Sequence, residues 1–440
     1  MQNSQMEKPR HKYRIELLAL LICLALMAAW SLMQQASENK KIERAKVENN
    51  KPRFYLSPLG VPPRWQQLDD YQHTITKEQF LHDLTSYFTV SDAWQRYIKV
   101  GDNYADISMM ANDTTAIFRL NFADDSEQKK SVRSWRRPSE LEKLNEQQPL
   151  AGLHIAIDAG HIGGEWAQME ERWYKIGDGK PVTEGDMTLY VARILKPALE
   201  GQGAQVTLVR ATTDPITKQR PNTLLEQAKL MVPAPQTAFQ LNKAAEGLFY
   251  RTSEIRARAD FVNQIIKPDV VLCLHFNAVA WGDPAQPSLV DENHFHILLN
   301  GAYTDDELAY DDQRFSMIEK ILQGTIHEEA ALGATMADVF AEETQLPPYP
   351  YEENSTRARN VNQHPYLWAR NLLANRLYHC PVIFFEPYVM NSHEVYDRVQ
   401  AGDYQGLPVV AGKPRKSLYR EYADAVVDGM IKYYREERAK

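Results

Sequence analysis

The chain has 440 residues, of which 44% are hydrophobic and 25% charged, and its formal net charge is −8. A single core stops growing at roughly 250 to 300 residues, so this length predicts one large domain and a smaller one. The ordinary composition excludes wholesale disorder. Nucleic acid is excluded as a partner because the chain is acidic and has no long basic stripe to neutralise phosphates.

An apolar segment near the N-terminus predicts a membrane anchor. Leu17–Met33 is an uncharged run of 17 residues, at the lower edge of what crosses the hydrocarbon core as a helix. Basic residues precede it, and positive charge stays in the cytoplasm. We therefore expect a cytoplasmic tail at 1–14 and a single inner-membrane (cytoplasmic-membrane) anchor at 15–34, with the remainder in the periplasm or cell envelope. A cleaved signal peptide is the alternative, although no small-x-small cleavage site follows the apolar run.

Changes in composition divide the rest of the chain. Residues 35–53 are polar and charged, which is typical of a solvated tether. Residues 54–125 are rich in aromatic side chains and predict a small α+β domain whose role the sequence does not reveal. Residues 126–149 are again charged and contain a proline, which favours a linker. The large domain then occupies 150–436.

Strand and helix patterns alternate along the large domain. Its strands are short continuous apolar runs, as expected when helices cover both faces of a sheet. Its helices place apolar residues on one face. The pattern predicts an α/β fold with a doubly wound, mostly parallel twisted sheet and flanking helices, preceded by the transmembrane helix and the small α+β domain. In the small domain the sequence predicts a helix at 77–88 and a strand at 115–122. In the large domain the predicted strands are 153–158, 206–210, 270–275, 294–299 and 381–386. The predicted helices of the large domain are 187–200, 255–266, 328–343 and 418–434.

Polar side chains collect where three of these strands end, which is where open α/β sheets bind ligands. The first strand of the large domain runs into Asp158-Ala-Gly-His-Ile-Gly-Gly164, a later one ends in Cys-Leu-His275-Phe-Asn277, and the last ends at Glu386. Glu184 precedes the first helix and can turn back over the same edge. A His, Glu, His set leaves a fourth position open for water, as in catalytic zinc sites, and a second carboxylate can take the proton of that water.

These motifs, in this order, resemble the zinc-dependent N-acetylmuramoyl-L-alanine amidases over about Leu153 to Tyr434. That family has an Asp-x-Gly-His-x-Gly-Gly turn, a Glu before a helix, a His-x-Asn strand end and a late Pro-(apolar)-Glu strand. The resemblance implies a Zn²⁺ enzyme that hydrolyses the amide between N-acetylmuramic acid and L-alanine in peptidoglycan or muropeptides. It also implies His161, Glu184 and His275 as the metal ligands, Glu386 as the general base and Asn277 as a substrate-binding residue.

Two other functions remain open at this point. One is another exported zinc peptidase or deacylase that uses the same ligands on a different substrate. The other is a wall-binding module that holds zinc without chemistry, which the presence of Glu386 disfavours. Within the site, Glu165, Glu170 and Glu171 compete with Glu184 as the carboxylate ligand. The alternating His294 and His296 resemble a metal pair, but we interpret them as non-ligands, and we interpret Cys273 as a core thiol.

Two long insertions depart from the family pattern, near 215–251 and 302–325. The second is acidic and follows the strand after the one that carries His275. We predict that it acts as a lid or an inhibitory segment, with Asp305 or Glu307 taking the fourth position on the metal. A solvated surface loop is the alternative.

Overall fold

The computed structural model describes residues 53–124, 128–284, 286–352 and 355–440. Phe54–Lys440 forms one compact unit. The predicted tail and anchor, and the tether as far as residue 52, lie outside the described residues. None of the helices in the part that is described has the length and apolar character needed to cross a membrane. The division of the unit by a linker at 126–149 stays a prediction.

The first part of the unit contains a helix and a small antiparallel sheet. Helix α1 (Lys77–Asp83) begins at Thr76, whose hydroxyl accepts the N–H of Gln79 while the Gln79 side chain accepts the N–H of Thr76. A π-helical turn continues α1 as far as Phe88, so the predicted helix at 77–88 is confirmed. The sheet consists of β1 (Ile98–Val100), β2 (Tyr104–Met110) and β3 (Asp113–Asn121).

The main sheet has seven strands. Its members are β4 (His154–Ala159), β7 (Gln205–Leu208), β8 (Val270–Leu274), β9 (Phe295–Leu299), β10 (Arg359–Asn360), β11 (Leu367–Ala369) and β12 (Val382–Pro387). Two further pairs of two-residue strands lie outside this sheet: β5 (Trp173–Tyr174) with β6 (Val182–Thr183), and β13 (Val409–Val410) with β14 (Lys413–Pro414). The order across the sheet is β10-β11-β9-β12-β8-β4-β7. Strands β4, β7, β8 and β12 are parallel to one another, whereas β9 pairs antiparallel with β12. The sheet is therefore mostly parallel, as predicted, with a reversed portion beyond β12.

Helices cover both faces of this sheet. The helices that follow β4 in the chain are α2 (Glu184–Gly201), α3 (Leu225–Met231), α4 (Ala238–Leu248), α5 (Glu254–Phe261), α6 (Asp305–Ala309), α7 (Asp311–Gln323), α8 (Thr325–Thr344), α9 (Leu373–Leu377), α10 (His393–Ala401) and α11 (Leu418–Ala439). Ile155 and Ile157 of β4 pack in one core with α2, α8 and α11, while Ala156 between them packs in a second core with α5. This alternation explains why the strands read as continuous apolar runs.

The acidic insertion at 302–325 holds its carboxylates in other contacts, so the prediction that Asp305 or Glu307 takes the fourth position on the metal is wrong. The segment forms α6 and α7, and its carboxylates have structural partners. Asp305 accepts the hydroxyl of Ser91, and Glu307 accepts the backbone N–H of Thr304 at 2.9 Å, capping its own helix. Asp311 is fully buried and accepts from Arg314 at 2.6 Å. Asp311 also accepts the backbone N–H of Ala111 at 2.8 Å, and this contact and the one with Ser91 hold the insertion against the first part of the unit.

A buried ionic cluster joins β4 to α5. Arg258 is 3% exposed and binds Asp158 at the end of β4 at 2.9 Å and Glu254 of its own helix at 2.8 Å. Burial disfavours the charged guanidinium, but the two carboxylates outweigh that cost and raise the pKa of Arg258. Removing one partner from such a cluster leaves uncompensated charge in the core.

We expect Arg258→Met to destabilise the protein by about 3 to 5 kcal/mol, because Asp158 and Glu254 would then stay buried without their partner. Arg251→Met is the matched control: Arg251 is exposed, and its ion pair with Glu171 spans 3.5 Å, so its loss should cost about 1 kcal/mol or less. Denaturant-induced unfolding of the two variants measures both values. Similar losses of stability would contradict the proposed importance of the cluster.

Candidate active site

His161 lies in a tight turn that follows β4. Gly160 donates its N–H to the carbonyl of Leu274 at 2.8 Å, which keeps the turn against β8. His161 itself adopts the left-handed conformation, with φ of 57°. A Cβ atom on Gly160 would lie 2.3 Å from the ring of His275, so only glycine allows the turn to pass this close. The two imidazole ring centroids consequently approach to 5.2 Å.

Glu184 is the first residue of α2, and its carboxylate contacts both imidazoles. Its carboxylate lies 3.2 Å from Nε2 of His161 and 3.1 Å from Nδ1 of His275. It also accepts the backbone N–H of Phe276 at 3.1 Å and is 1% exposed. The three residues each offer one ligand atom, and these atoms lie within 4.8 Å of one another. The structure thus brings together the three residues that the sequence places at one sheet edge.

The chemistry of this group suits a zinc ion. Two imidazole nitrogens and one carboxylate oxygen form one of the usual three-ligand sets of catalytic zinc. The surroundings also favour positive charge: burial lowers the pKa of His161, but Glu184 and Glu170 outweigh burial and raise it to about 9. The same two carboxylates would attract a cation, and burial lowers the pKa of His275, which favours the neutral ring that binds a metal.

Glu170 supports His161 from the side opposite Glu184. Its carboxylate is 3.5 Å from Nδ1 of His161 and accepts the backbone N–H groups of Ile162 and Gly163. The side chain is almost fully buried. A carboxylate behind a metal-binding imidazole fixes the ring's orientation and tautomer. From the sequence, Glu170 is only a competitor of Glu184, because sequence alone does not show on which side of His161 a loop carboxylate lies.

Glu386 lies at the carboxyl end of β12, beside the three clustered residues. Phe385 pairs with Leu274 in the parallel ladder, so Glu386 and His275 follow at equivalent positions. Burial and the negative charge of Glu184 raise the pKa of Glu386 to about 8, while Arg172 opposes the shift. A carboxylate with this pKa can both accept and release a proton near neutral pH.

Arg172 is a site residue that the sequence analysis missed. Its Nε atom lies 3.2 Å from Glu184, and its side chain is 42% exposed. It also lines a cleft of about 790 Å³ together with Trp173 and Trp281. The cleft therefore extends to a residue that contacts the clustered carboxylate. No motif marked Arg172, because it lies in a loop without a regular pattern.

Asn277 has a structural role in this arrangement. Its backbone N–H donates to Pro387 at 3.2 Å, and its carbonyl accepts from Met390 at 2.8 Å. Its side-chain oxygen accepts the N–H of the adjacent Ala278 at 2.7 Å. These bonds connect the loop after β8 to the loop after β12. The predicted contact of Asn277 with substrate stays a prediction.

The remaining histidines and cysteine near these strands have core partners. His296 packs against Tyr349 and Tyr351, and burial lowers its pKa to about 3. His294 contacts the same Tyr349 edge to face. Cys273 is fully buried, and burial raises the pKa of its thiol. These environments agree with the interpretation of the pair as non-ligands and of the thiol as a core residue.

Comparisons with known proteins give matches among solved structures. No protein-family model matches the chain, and no curated protein matches it. The CwlD amidase of Clostridioides difficile, solved in complex with the GerS lipoprotein, is 13% identical, covers 64% of this chain and 98% of its own, and has a TM-score of 0.36. Ami1 of Mycobacterium abscessus, an N-acetylmuramyl-L-alanine amidase, is 15% identical over 64% of this chain and 99% of its own, with a TM-score of 0.32.

AmiC2 of Nostoc punctiforme, also an N-acetylmuramoyl-L-alanine amidase, is 16% identical over 64% of this chain and 98% of its own, with a TM-score of 0.32. The chain is similar to N-acetylmuramoyl-L-alanine amidases. With TM-scores of 0.32 to 0.36, this likeness adds no weight to any assignment of activity. That assignment comes from the motifs and from the geometry of the site.

We expect His161→Ala and His275→Ala each to lose most of the bound zinc, because each substitution removes one of three ligands. His294→Ala is the control, since it removes a nearby histidine that contacts Tyr349 and not the cluster. Elemental analysis of the purified proteins gives the zinc content per chain. Full zinc retention in both ligand variants would rule out this metal site.

We expect Glu170→Gln to weaken zinc binding by about 10- to 100-fold, because the amide supports the His161 ring less well than a carboxylate. Glu171→Gln is the control, because the neighbouring Glu171 pairs only loosely with the exposed Arg251 at 3.5 Å. Competition with a chelator measures the affinity of each variant. Equal affinities would show that Glu170 serves only the backbone of the turn.

Proposed function

We propose that the chain is a zinc-dependent hydrolase that cleaves the amide bond between N-acetylmuramic acid and L-alanine in peptidoglycan. The observation that carries this proposal is the convergence of His161, Glu184 and His275 at one sheet edge, with Glu386 at the end of the adjoining strand. The same four residues match the motifs of the amidase family in chain order. The resulting role is remodelling or degradation of the cell wall.

The chain's own residues supply the positioning and the proton transfers. A zinc ion held by the three ligands would lower the pKa of water toward about 7 and polarise the amide carbonyl. Glu386 accepts a proton from the attacking water and passes it to the nitrogen of the leaving L-alanine. Glu184 is held in place by Arg172 and by the N–H of Phe276.

The cleft beside Arg172 gives a substrate room to approach these groups. Its volume of about 790 Å³ is within the usual range for ligand clefts. Its lining includes Trp173 and Trp281, whose rings offer apolar surface to a sugar or a peptide. The cleft supports a substrate larger than a simple amide.

The proposed substrate requires the catalytic domain to lie outside the cytoplasm. The predicted anchor at 15–34 and the tether at 35–53 would hold the domain at the outer face of the inner membrane, in the periplasm or cell envelope. The rest of the proposed organisation is a small α+β domain at 54–125, a linker at 126–149 and the amidase domain at 150–436. Peptidoglycan or soluble muropeptide is the proposed partner, and the membrane is contacted through the N-terminal segment.

We expect Glu386→Gln to keep its zinc and its fold but to lose about 100- to 10,000-fold in turnover, because the amide cannot accept the proton of the water. Glu165→Gln is the control, as a second carboxylate of the loop that follows His161. The assay is mass analysis of peptidoglycan digests for free stem peptides that start with L-alanine. Near-normal turnover by Glu386→Gln with intact zinc would assign the base to another group.

The same assay separates the alternative functions. Release of stem peptides from soluble muropeptide, with no cleavage of simple peptides, supports the amidase. Cleavage of simple peptides alone would indicate an exported zinc peptidase or deacylase. Zinc binding without turnover on either substrate would indicate a wall-binding module.

A further inference from the structure

The hairpin formed by α3 and α4 carries exposed apolar side chains at its end. Leu230 is 88% exposed, Met231 51% and Phe239 73%. The connection between these helices, Val232–Thr237, contains no charged residue. Large apolar side chains grouped in exposed positions at one end of a hairpin point to a site of contact with a protein or a membrane. We call Leu230, Met231, Phe239 and the connection between them the hairpin tip.

The base of the same hairpin is well packed, so the exposure is confined to the tip. Leu224, Ala228, Ala245 and Leu248 are buried in one cluster. That cluster includes Ile162, which follows His161, and is flanked by Trp166 of the same loop. The hairpin therefore projects from a fixed support.

We propose that the hairpin tip inserts into the surface of a lipid bilayer. The length of chain between the predicted anchor and the hairpin base favours lipid as the occupant. Leu59, six residues into the described part of the chain, packs against the cluster at the hairpin base. The 20 residues at 34–53 connect this region to the apolar run Leu17–Met33, and they span at most about 70 Å when extended. A chain held in the membrane by that run keeps the hairpin within reach of the same bilayer.

The charges around the tip indicate how it would bind. Lys229 pairs with Glu226 at 2.6 Å, and Lys243 pairs with Glu246 at 3.0 Å. The two helices therefore offer neutralised pairs and not a basic patch. Insertion of apolar side chains, and not attraction to anionic headgroups, is the expected mode of contact, so it should be insensitive to salt.

The test uses the full chain and measures how deeply the hairpin tip enters the bilayer of added vesicles. A Cys23→Ser background leaves Cys273 and Cys380, which are buried and protected from labelling. A single cysteine placed by Met231→Cys is labelled with an environment-sensitive fluorophore. The chain is then mixed with vesicles of phosphatidylethanolamine and phosphatidylglycerol, with or without lipids that carry a quencher in the acyl chain. We expect a blue shift on vesicle addition and loss of emission with the quencher lipids, at low and high salt alike.

A label introduced by Leu407→Cys is the matched control, because Leu407 is an exposed apolar residue, 63% exposed, in a different loop. It should show neither the shift nor the quenching. Leu230→Asn with Phe239→Asn should abolish the quenching at residue 231 while the chain still floats with the vesicles. A tip label that stays in water on floating vesicles would overturn the proposal, as would a label already shielded before lipid is added. Failure to float would overturn the anchor and the proposal together, and neither result depends on amidase activity.

Discussion

Two buried guanidinium groups hold the turn on which the candidate site depends. Arg258 donates to the carbonyls of Ala159 at 2.9 Å and His161 at 2.7 Å. Arg210 donates to the carbonyls of Ala159, at 2.8 Å, and of Gly160, at 3.1 Å. Because the turn that carries His161 is left-handed, these carbonyls point away from the hydrogen bonds between the strands. Buried carbonyls need hydrogen-bond donors, and the two guanidinium groups supply them.

The same arrangement connects the turn to its neighbours. Arg210 also donates to the carbonyl of Gly185 at 2.6 Å, next to Glu184. A Cβ on Gly185 would lie 2.3 Å from the backbone nitrogen of Gly163, so the start of α2 and the turn touch backbone to backbone. Burial and repulsion from Arg258 lower the pKa of Arg210 to about 9. The candidate metal ligands His161 and Glu184 thus sit on backbone that is fixed by charge and by close contact.

The sequence predicted the parts of the site that depend on regular structure. Strand ends at His161, His275 and Glu386 follow from short apolar runs, and the sheet edge brings them together for a geometric reason. Glu170 and Arg172 could not be predicted, because their positions depend on how an irregular loop returns to the turn. The direction of β9 was also hidden, since a short, fully buried strand has the same apolar pattern in parallel and antiparallel pairing. The acidic insertion was misread because helix caps and buried ion pairs also need carboxylates.

The position of β12 determines when during folding the site can exist. This strand lies between β8 and β9, yet it comes from the last 60 residues of the chain. Until it is inserted, the central sheet is split into β4, β7 and β8 on one side and β9 to β11 on the other. An incomplete chain, whether stalled in synthesis or partly translocated, consequently has its histidines but neither Glu386 nor a continuous sheet beneath them. A chain made in this order would complete the candidate site only after β12, which ends at Pro387, had been delivered.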